Sequence, residues 1–193
     1  MIIGLNGRMK SGKDTTFHVI KEIYKDSPLN VRQVSYAQPI KESAAASLGI
    51  DLETLEYLKA DENLCFTLQD NGDLFKFNIR EFIQRFGTEG HRDIFGENFW
   101  VDMALPLDKD YSDALYVVTD MRFPNEVERV ISLGGRTVRV MREVESAHSG
   151  HRTEQNIDHM IEHFLDNTGS MEDLQTNVID MLNLFNRTKV KVA

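Results

Sequence analysis

The sequence predicts an α/β fold of three layers: a mostly parallel five-stranded sheet with helices on both faces, and an inserted β-hairpin and helical region. Three observations predict it. Short apolar runs alternate along the chain with segments of helical periodicity, the pattern of strands joined by helical crossovers. A glycine-rich turn, Gly7 to Lys13, separates the first apolar run from the first periodic segment. A stretch from Cys65 to Asn78 breaks the alternation with two strand-like runs around Asn71-Gly72, a strong hairpin signal.

The elements follow in order. Ile2 to Leu5 is a short strand. From Lys13 to Tyr24, Phe17, Ile20 and Tyr24 recur at helical spacing. Val31 to Tyr36 alternates apolar and polar residues as a second strand. Pro39 opens an alanine-rich helix to about Leu48, and Asp51 caps another through Leu58. After the hairpin, Asn78 with Glu81 forms a capping-box pattern, so a helix runs to about Phe86. Ala114 to Thr119 is a buried strand. Pro124 starts a helix that Gly134-Gly135 ends, and Arg136 to Met141 is a strand. Ile161 to Leu165 is the last strand, and Met171 to Phe185 the closing helix. We expect a single domain over 1–193, with the insertion at about 60–110 and a lid at about 139–154.

The chain has 193 residues, is 41% hydrophobic and carries a formal net charge of -9. An acidic chain is not built to wrap nucleic acid, which needs clustered Lys and Arg. The lone cysteine, Cys65, cannot form an intrachain disulfide, which fits a reducing compartment. No run approaches the roughly 18 apolar residues of a membrane span. The apolar start, Met1-Ile2-Ile3, is too short for a secretion signal. The expectation is a cytoplasmic protein with no nucleic-acid or membrane partner.

Gly7-x-x-x-x-Gly12-Lys13 matches a phosphate-binding loop up to its last position. Its glycines let backbone N–H groups point at phosphate oxygens, and the helix that follows adds free N–H groups and a positive dipole end. Lys13 supplies a mobile charge for the β- and γ-phosphates of ATP. Where Ser or Thr normally binds Mg²⁺, this chain has Asp14, followed by Thr15 and Thr16. Asp14 could hold the metal directly or through water, or Thr15 could supply the hydroxyl shifted by one residue.

Asp120 lies just past a buried strand, where ligands of open α/β sheets collect. It is a candidate for the Mg²⁺ shell or for accepting a proton, and Arg122 for gripping an acceptor phosphate. Arg85 and Arg92 flank Gly87 and Thr88 in a polar segment and could clamp a monophosphate bidentately. Trp100 could stack on a base or pack as a core aromatic with Phe99 and Met103. Arg139 and Arg142 lead into a loop that could close over the phosphates. The pairs His148/His151 and His159/His163 lack the companions of a zinc site, and Cys65 has no base beside it.

Assembled, these residues resemble the deoxynucleoside monophosphate kinase family of tailed phages. The matching pieces are Gly7-Arg-Met-Lys-Ser-Gly-Lys-Asp14, Tyr36-Ala-Gln-Pro-Ile-Lys41, Gly87-Thr-Glu-Gly-His-Arg92, Phe99-Trp-Val101 and Thr119-Asp-Met-Arg-Phe-Pro-Asn-Glu-Val127. His151-Arg-Thr-Glu154 and Asp166-Asn-Thr-Gly-Ser170 also fit, with Thr153 where the family pattern has Ser. The resemblance implies transfer of phosphate from ATP to a deoxynucleoside monophosphate, with Mg²⁺. It implies ATP contacts along Arg8, Lys10, Ser11 and Gly12 to Thr16, and an adenine pocket at Asn167. It places Lys41, Arg85, Arg92 and Arg122 toward the acceptor, and Arg139 and Arg142 in the lid. The Gly-Lys-Asp ending is similar to that of animal phosphomevalonate kinases, and Asp-Asn-x-Gly to dephospho-coenzyme A kinases, so kinases of another phosphorylated acceptor stay as rivals. An ATP-driven switch module without kinase activity is the third reading. The hairpin edge could pair with a second copy as a homodimer.

Overall fold

The computed structural model describes residues 1–61, 63–70, 73–142 and 157–188. The chain divides into two compact units, Met1–Ser35 with Leu107–Ala193, and Tyr36–Pro106.

The first unit holds a five-stranded sheet. Its strands are β1 (Ile2–Asn6), β2 (Asn30–Val34), β5 (Ala114–Met121), β6 (Arg136–Met141) and β7 (His163–Asp166), in the order β2-β5-β1-β6-β7. Every pairing is parallel. All five residues of β1 and nearly all of β5 are buried, the near-continuous apolar signature of strands covered on both faces. The covers follow from the alternation of side chains along β1. Ile3 and Leu5 face a core with Phe17 and Ile20 of α1 (Lys13–Ile23) and Leu174, Val178, Met181 and Phe185 of α8 (Met171–Thr188). Gly4 points the other way, where an added Cβ would lie 3.1 Å from Val130 of α7 (Pro124–Ser132). The absence of a side chain there lets α7 lie close on the sheet. Pro124 opens α7, and the Glu126 side chain reaches back to the backbone N–H of Phe123 at 3.0 Å to cap it.

The second unit consists of α2 (Ala37–Leu48), α3 (Leu52–Ala60), the antiparallel hairpin β3 (Cys65–Asp70) and β4 (Asp73–Asn78), α4 (Ile79–Gly87) and the short helices α5 (Asp93–Phe95) and α6 (Phe99–Ala104). Both expected caps are present: Asp51 accepts from the Thr54 N–H at 2.7 Å, and Asn78 from the Glu81 N–H at 2.9 Å. Each such cap contributes about 1 kcal/mol. The Asn71-Gly72 turn itself lies outside the described residues. The unit begins at Tyr36, and α2 and α3 build a core with α4. Ala45 of α2, Leu55 of α3 and Ile79 of α4 form one buried cluster. Among the described residues no helix is long and apolar enough to cross a membrane.

Candidate active site

The turn after β1 has the backbone a phosphate cradle requires. Gly7 has φ 152°, Lys10 65° and Gly12 98°, three positive angles interspersed through the turn, the kind of backbone that forms an anion-binding concavity of N–H groups. The glycines are also fixed by crowding. A Cβ on Gly7 would lie 2.5 Å from Ser11 Oγ and 2.7 Å from the Val140 carbonyl oxygen. Ser11 is 1% exposed, and its Oγ is a buried hydroxyl with no hydrogen-bond partner among the described residues. An unsatisfied buried hydroxyl costs about 1–3 kcal/mol, so this loop fits an oxygen-rich ligand such as a phosphate chain. Lys13 starts α1 and folds back over the loop, its Nζ donating to the carbonyls of Gly7 at 2.7 Å and Arg8 at 2.9 Å. Arg8 and Lys10 are exposed on the same loop.

Asp14 and Thr15, the alternatives for metal contact, both lie in the first turn of α1. Asp14 is exposed and Thr15 half-buried. Thr16 points elsewhere: it is buried, and its hydroxyl donates to the Gly12 carbonyl at 2.9 Å.

The register of the sheet brings the other candidates to the same end. Asn6 pairs with Met121 on one side and Arg139 on the other. Asn6 Nδ2 donates to the Met121 carbonyl at 2.8 Å, tying the end of β1 to the strand that carries Asp120. Asp120 is half-buried and accepts from Ser35 Oγ at 2.7 Å. Arg122 is exposed, while its backbone N–H is held by the Glu126 carboxylate at 2.6 Å. Arg139 pairs with Asp158 through Nη2 and has a buried Nε with no hydrogen bond among the described residues. Arg142 is exposed at the end of β6. Residues 143–154 of the expected lid, with His148, His151 and Thr153, lie outside the described residues.

Asn167, expected at an adenine pocket, lies directly behind the phosphate loop. It is 6% exposed, and its Nδ2 donates to the Ser11 carbonyl at 2.7 Å. A Cβ on Gly12 would fall 2.2 Å from that same nitrogen. Asn167 thus props the phosphate loop from beneath, and its amide nitrogen is committed there.

The remaining candidates belong to the second unit. Gly87 ends α4, Thr88 to Arg92 form a single π-helical turn, and Thr88 is exposed there. Trp100, expected either on a base or in the core, packs in the core. It is 1% exposed, and its indole N–H donates to the Gly87 carbonyl at 2.8 Å. Its ring lies among Phe86, His91 and Phe99. Gly87 serves this packing, since a Cβ there would come within 3.2 Å of Ile40. Lys41 pairs with Glu56 at 2.8 Å. Burial pushes Glu56 up, but hydrogen bonds and charge from Lys41 and Lys59 outweigh it and leave the carboxyl below its ordinary value. Arg85 pairs with Glu81 at 2.8 Å on the exposed face of α4.

Two polar residues at the end of β2 escaped the sequence reading. Gln33 donates from Nε2 to Thr119 Oγ1 at 2.9 Å and to Asp14 Oδ1 at 3.3 Å. Ser35 holds Asp120. Their spacing of two along a strand was the available signal, but it equally describes a solvated face.

Among the described residues no group of three or more His, Cys, Asp or Glu converges as a metal site. Asp14 and Asp120, hard oxygen donors contacted by neutral side chains, suit Mg²⁺, which takes one or two carboxylates and completes its shell with phosphate oxygens and water.

The family model for deoxynucleotide monophosphate kinase matches residues 49–178, more than half of the chain. No curated protein matches. Among solved structures, a dephospho-CoA kinase from Campylobacter jejuni is 16% identical with a TM-score of 0.47, covering 97% of this chain and 98% of its own. An APS kinase mutant from Mycobacterium tuberculosis is 11% identical with a TM-score of 0.42, covering 94% of this chain and 96% of its own. A plasmid partition protein from Borrelia burgdorferi is 14% identical with a TM-score of 0.44, covering 94% and 98%. Likeness at these scores carries no argument about activity.

Proposed function

The chain belongs to the deoxynucleotide monophosphate kinase family, and from that premise we propose how its residues divide the work of the reaction. The enzyme is a phosphotransferase that converts a deoxynucleoside monophosphate to its diphosphate. The donor in this reading is ATP. The observation that carries the donor side is the cradle of Gly7 to Lys13, with its positive backbone angles and the ammonium of Lys13 folded over it.

In this reading the loop N–H groups and the start of α1 bind the β- and γ-phosphates, and Lys13 exchanges its two loop carbonyls for phosphate oxygens. An acceptor monophosphate oxygen attacks the γ-phosphorus while the bond to the β–γ bridging oxygen breaks, and ADP leaves with that electron pair. A phosphate monoester loses its second proton near about pH 6, so the attacking oxygen is mostly ionised at neutral pH and needs little help from a base. Asp120 therefore serves better as a charge-bearing ligand than as a proton acceptor. Asp14 and Asp120 would hold Mg²⁺, with Thr15 beside them. When bound, Mg²⁺ supplies charge neutralisation at the β- and γ-oxygens. Arg139 and Arg142 are assigned to the charge that develops during transfer. Arg122, Arg85, Arg92 and Lys41 are assigned to the acceptor phosphate, with Thr88 as a hydroxyl contact. Trp100 and Gly87 are assigned to shaping the acceptor unit from within.

A coupled ADP-release assay across the four deoxynucleoside monophosphates tests this. Turnover dependent on at least one of them is expected. Turnover with none, or only with another phosphorylated acceptor, would overturn it.

A further inference from the structure

We propose that Gln33 is a positioning residue for Asp14, holding that carboxylate in the orientation the metal needs. The inference rests on the magnesium role proposed above for Asp14. The Gln33 amide has two N–H groups, and the structure uses them in two directions, one on Thr119 Oγ1 at 2.9 Å and one on Asp14 Oδ1 at 3.3 Å. The first contact anchors the side chain to β5, one residue before Asp120. The second reaches the exposed first turn of α1. Ser35, two residues along, treats Asp120 in the same way, donating from Oγ at 2.7 Å. The end of β2 therefore sets both acids with hydroxyl and amide donors.

The choice of neutral donors has a chemical reason. A lysine at position 33 would orient Asp14 equally well but would cancel the charge a cation needs. An amide fixes one oxygen and leaves the charge intact, and among the described residues no other side-chain hydrogen bond or ion pair holds Asp14. A serine at the usual position would not require such a partner, because its hydroxyl is already fixed by the short side chain. Asp14 is longer by a rotatable bond, and the contact from Gln33 restores the lost rigidity.

The test uses the full chain with ADP bound and Mn²⁺ as the metal, read by electron paramagnetic resonance of free Mn²⁺. Gln33→Met keeps the length of the side chain and removes both N–H groups. It should weaken Mn²⁺ binding by about tenfold, as loss of a group that orients a metal ligand does. The Mg²⁺ concentration for half-maximal turnover should rise in parallel, with kcat at saturating Mg²⁺ little changed. Gln33→Ala should behave alike, and both variants should keep the parent melting temperature, since Gln33 is exposed. Asp14→Asn should weaken binding at least as much, and the double variant no further than Asp14→Asn alone. If Asp14→Asn weakens Mn²⁺ binding and Gln33→Met does not, or if their effects multiply in the double variant, the positioning role is wrong and the metal role of Asp14 stands. If Asp14→Asn itself leaves Mn²⁺ binding unchanged, the metal assignment fails and the inference falls with it.

Discussion

The two compact units hold their candidate site residues by different means. In the sheet unit most of the groups contact backbone or neutral donors, Lys13 on loop carbonyls, Asn167 on Ser11, Ser35 on Asp120 and Gln33 on Asp14, with Arg139 on Asp158 as the charged exception. In the helical unit the described ion pairs hold the cations on neighbouring acids, Arg85 on Glu81 and Lys41 on Glu56. The difference teaches what each side must do on binding. The sheet unit presents a cradle whose shape already exists. In the acceptor role proposed for Arg85 and Lys41, the helical unit would exchange a protein carboxylate for a phosphate, and for an exposed helical pair that exchange costs only about 0.3–0.5 kcal/mol.

The sharpest way to break this comparison is to empty the packed centre of the helical unit. Trp100→Ala should destabilise it by about 3–5 kcal/mol in urea unfolding followed by circular dichroism. Trp100→Phe should cost less, about 1–3 kcal/mol, through the Gly87 carbonyl left without its donor. A near-neutral Trp100→Ala would mean the ring is not the packing centre. Next in size is Lys13→Ala, which should lower kcat by about a hundredfold or more while the melting temperature stays put. Near-normal turnover would remove the phosphate loop from the mechanism.

A smaller effect tests the stored cations. Glu81→Gln should release Arg85 and lower the KM for the monophosphate by about twofold, the worth of the pair it breaks. Arg85→Ala should raise that KM by about tenfold and leave the KM for ATP alone. Equal changes in both constants would take Arg85 out of the acceptor role.

The smallest effect belongs to His163 in the sheet unit. Burial lowers its pKa below the ordinary 6.5, against a weaker opposing pull from Glu162. The folded state thus binds fewer protons than the unfolded one. Its stability contribution is present above pH 6.5 and is lost as pH falls below that value. Thermal melts between about pH 7 and pH 5 should show a decline that His163→Gln reduces.

Much of the sheet unit was legible because local rules agree there. Continuous apolar runs marked β1 and β5, Pro124 and Gly134 bounded α7, and the glycines of the loop announced positive backbone angles that the structure has. In the helical unit Asp51 and Asn78 marked their caps for the same reason. What stayed hidden depends on partners distant in sequence. Periodicity shows that α2 and α3 are amphipathic but not that they pack on α4, so the start of that unit at Tyr36 could not be read. A π turn leaves no distinctive residue pattern at Thr88 to Arg92. Gln33 and Ser35 look like solvent-facing strand residues until β5 is placed beside them.

The contact between Asn167 and the Ser11 carbonyl spans 156 residues of sequence. Its consequence is one of timing. During synthesis the loop emerges well before its prop, which sits between β7 and α8. A nascent chain stalled before residue 167 carries the glycines of the phosphate loop without the side chain that braces them. The bracing of the phosphate loop therefore waits on a residue made long after its glycines, and a chain cut before β7 and α8 would keep the motif but lose its prop.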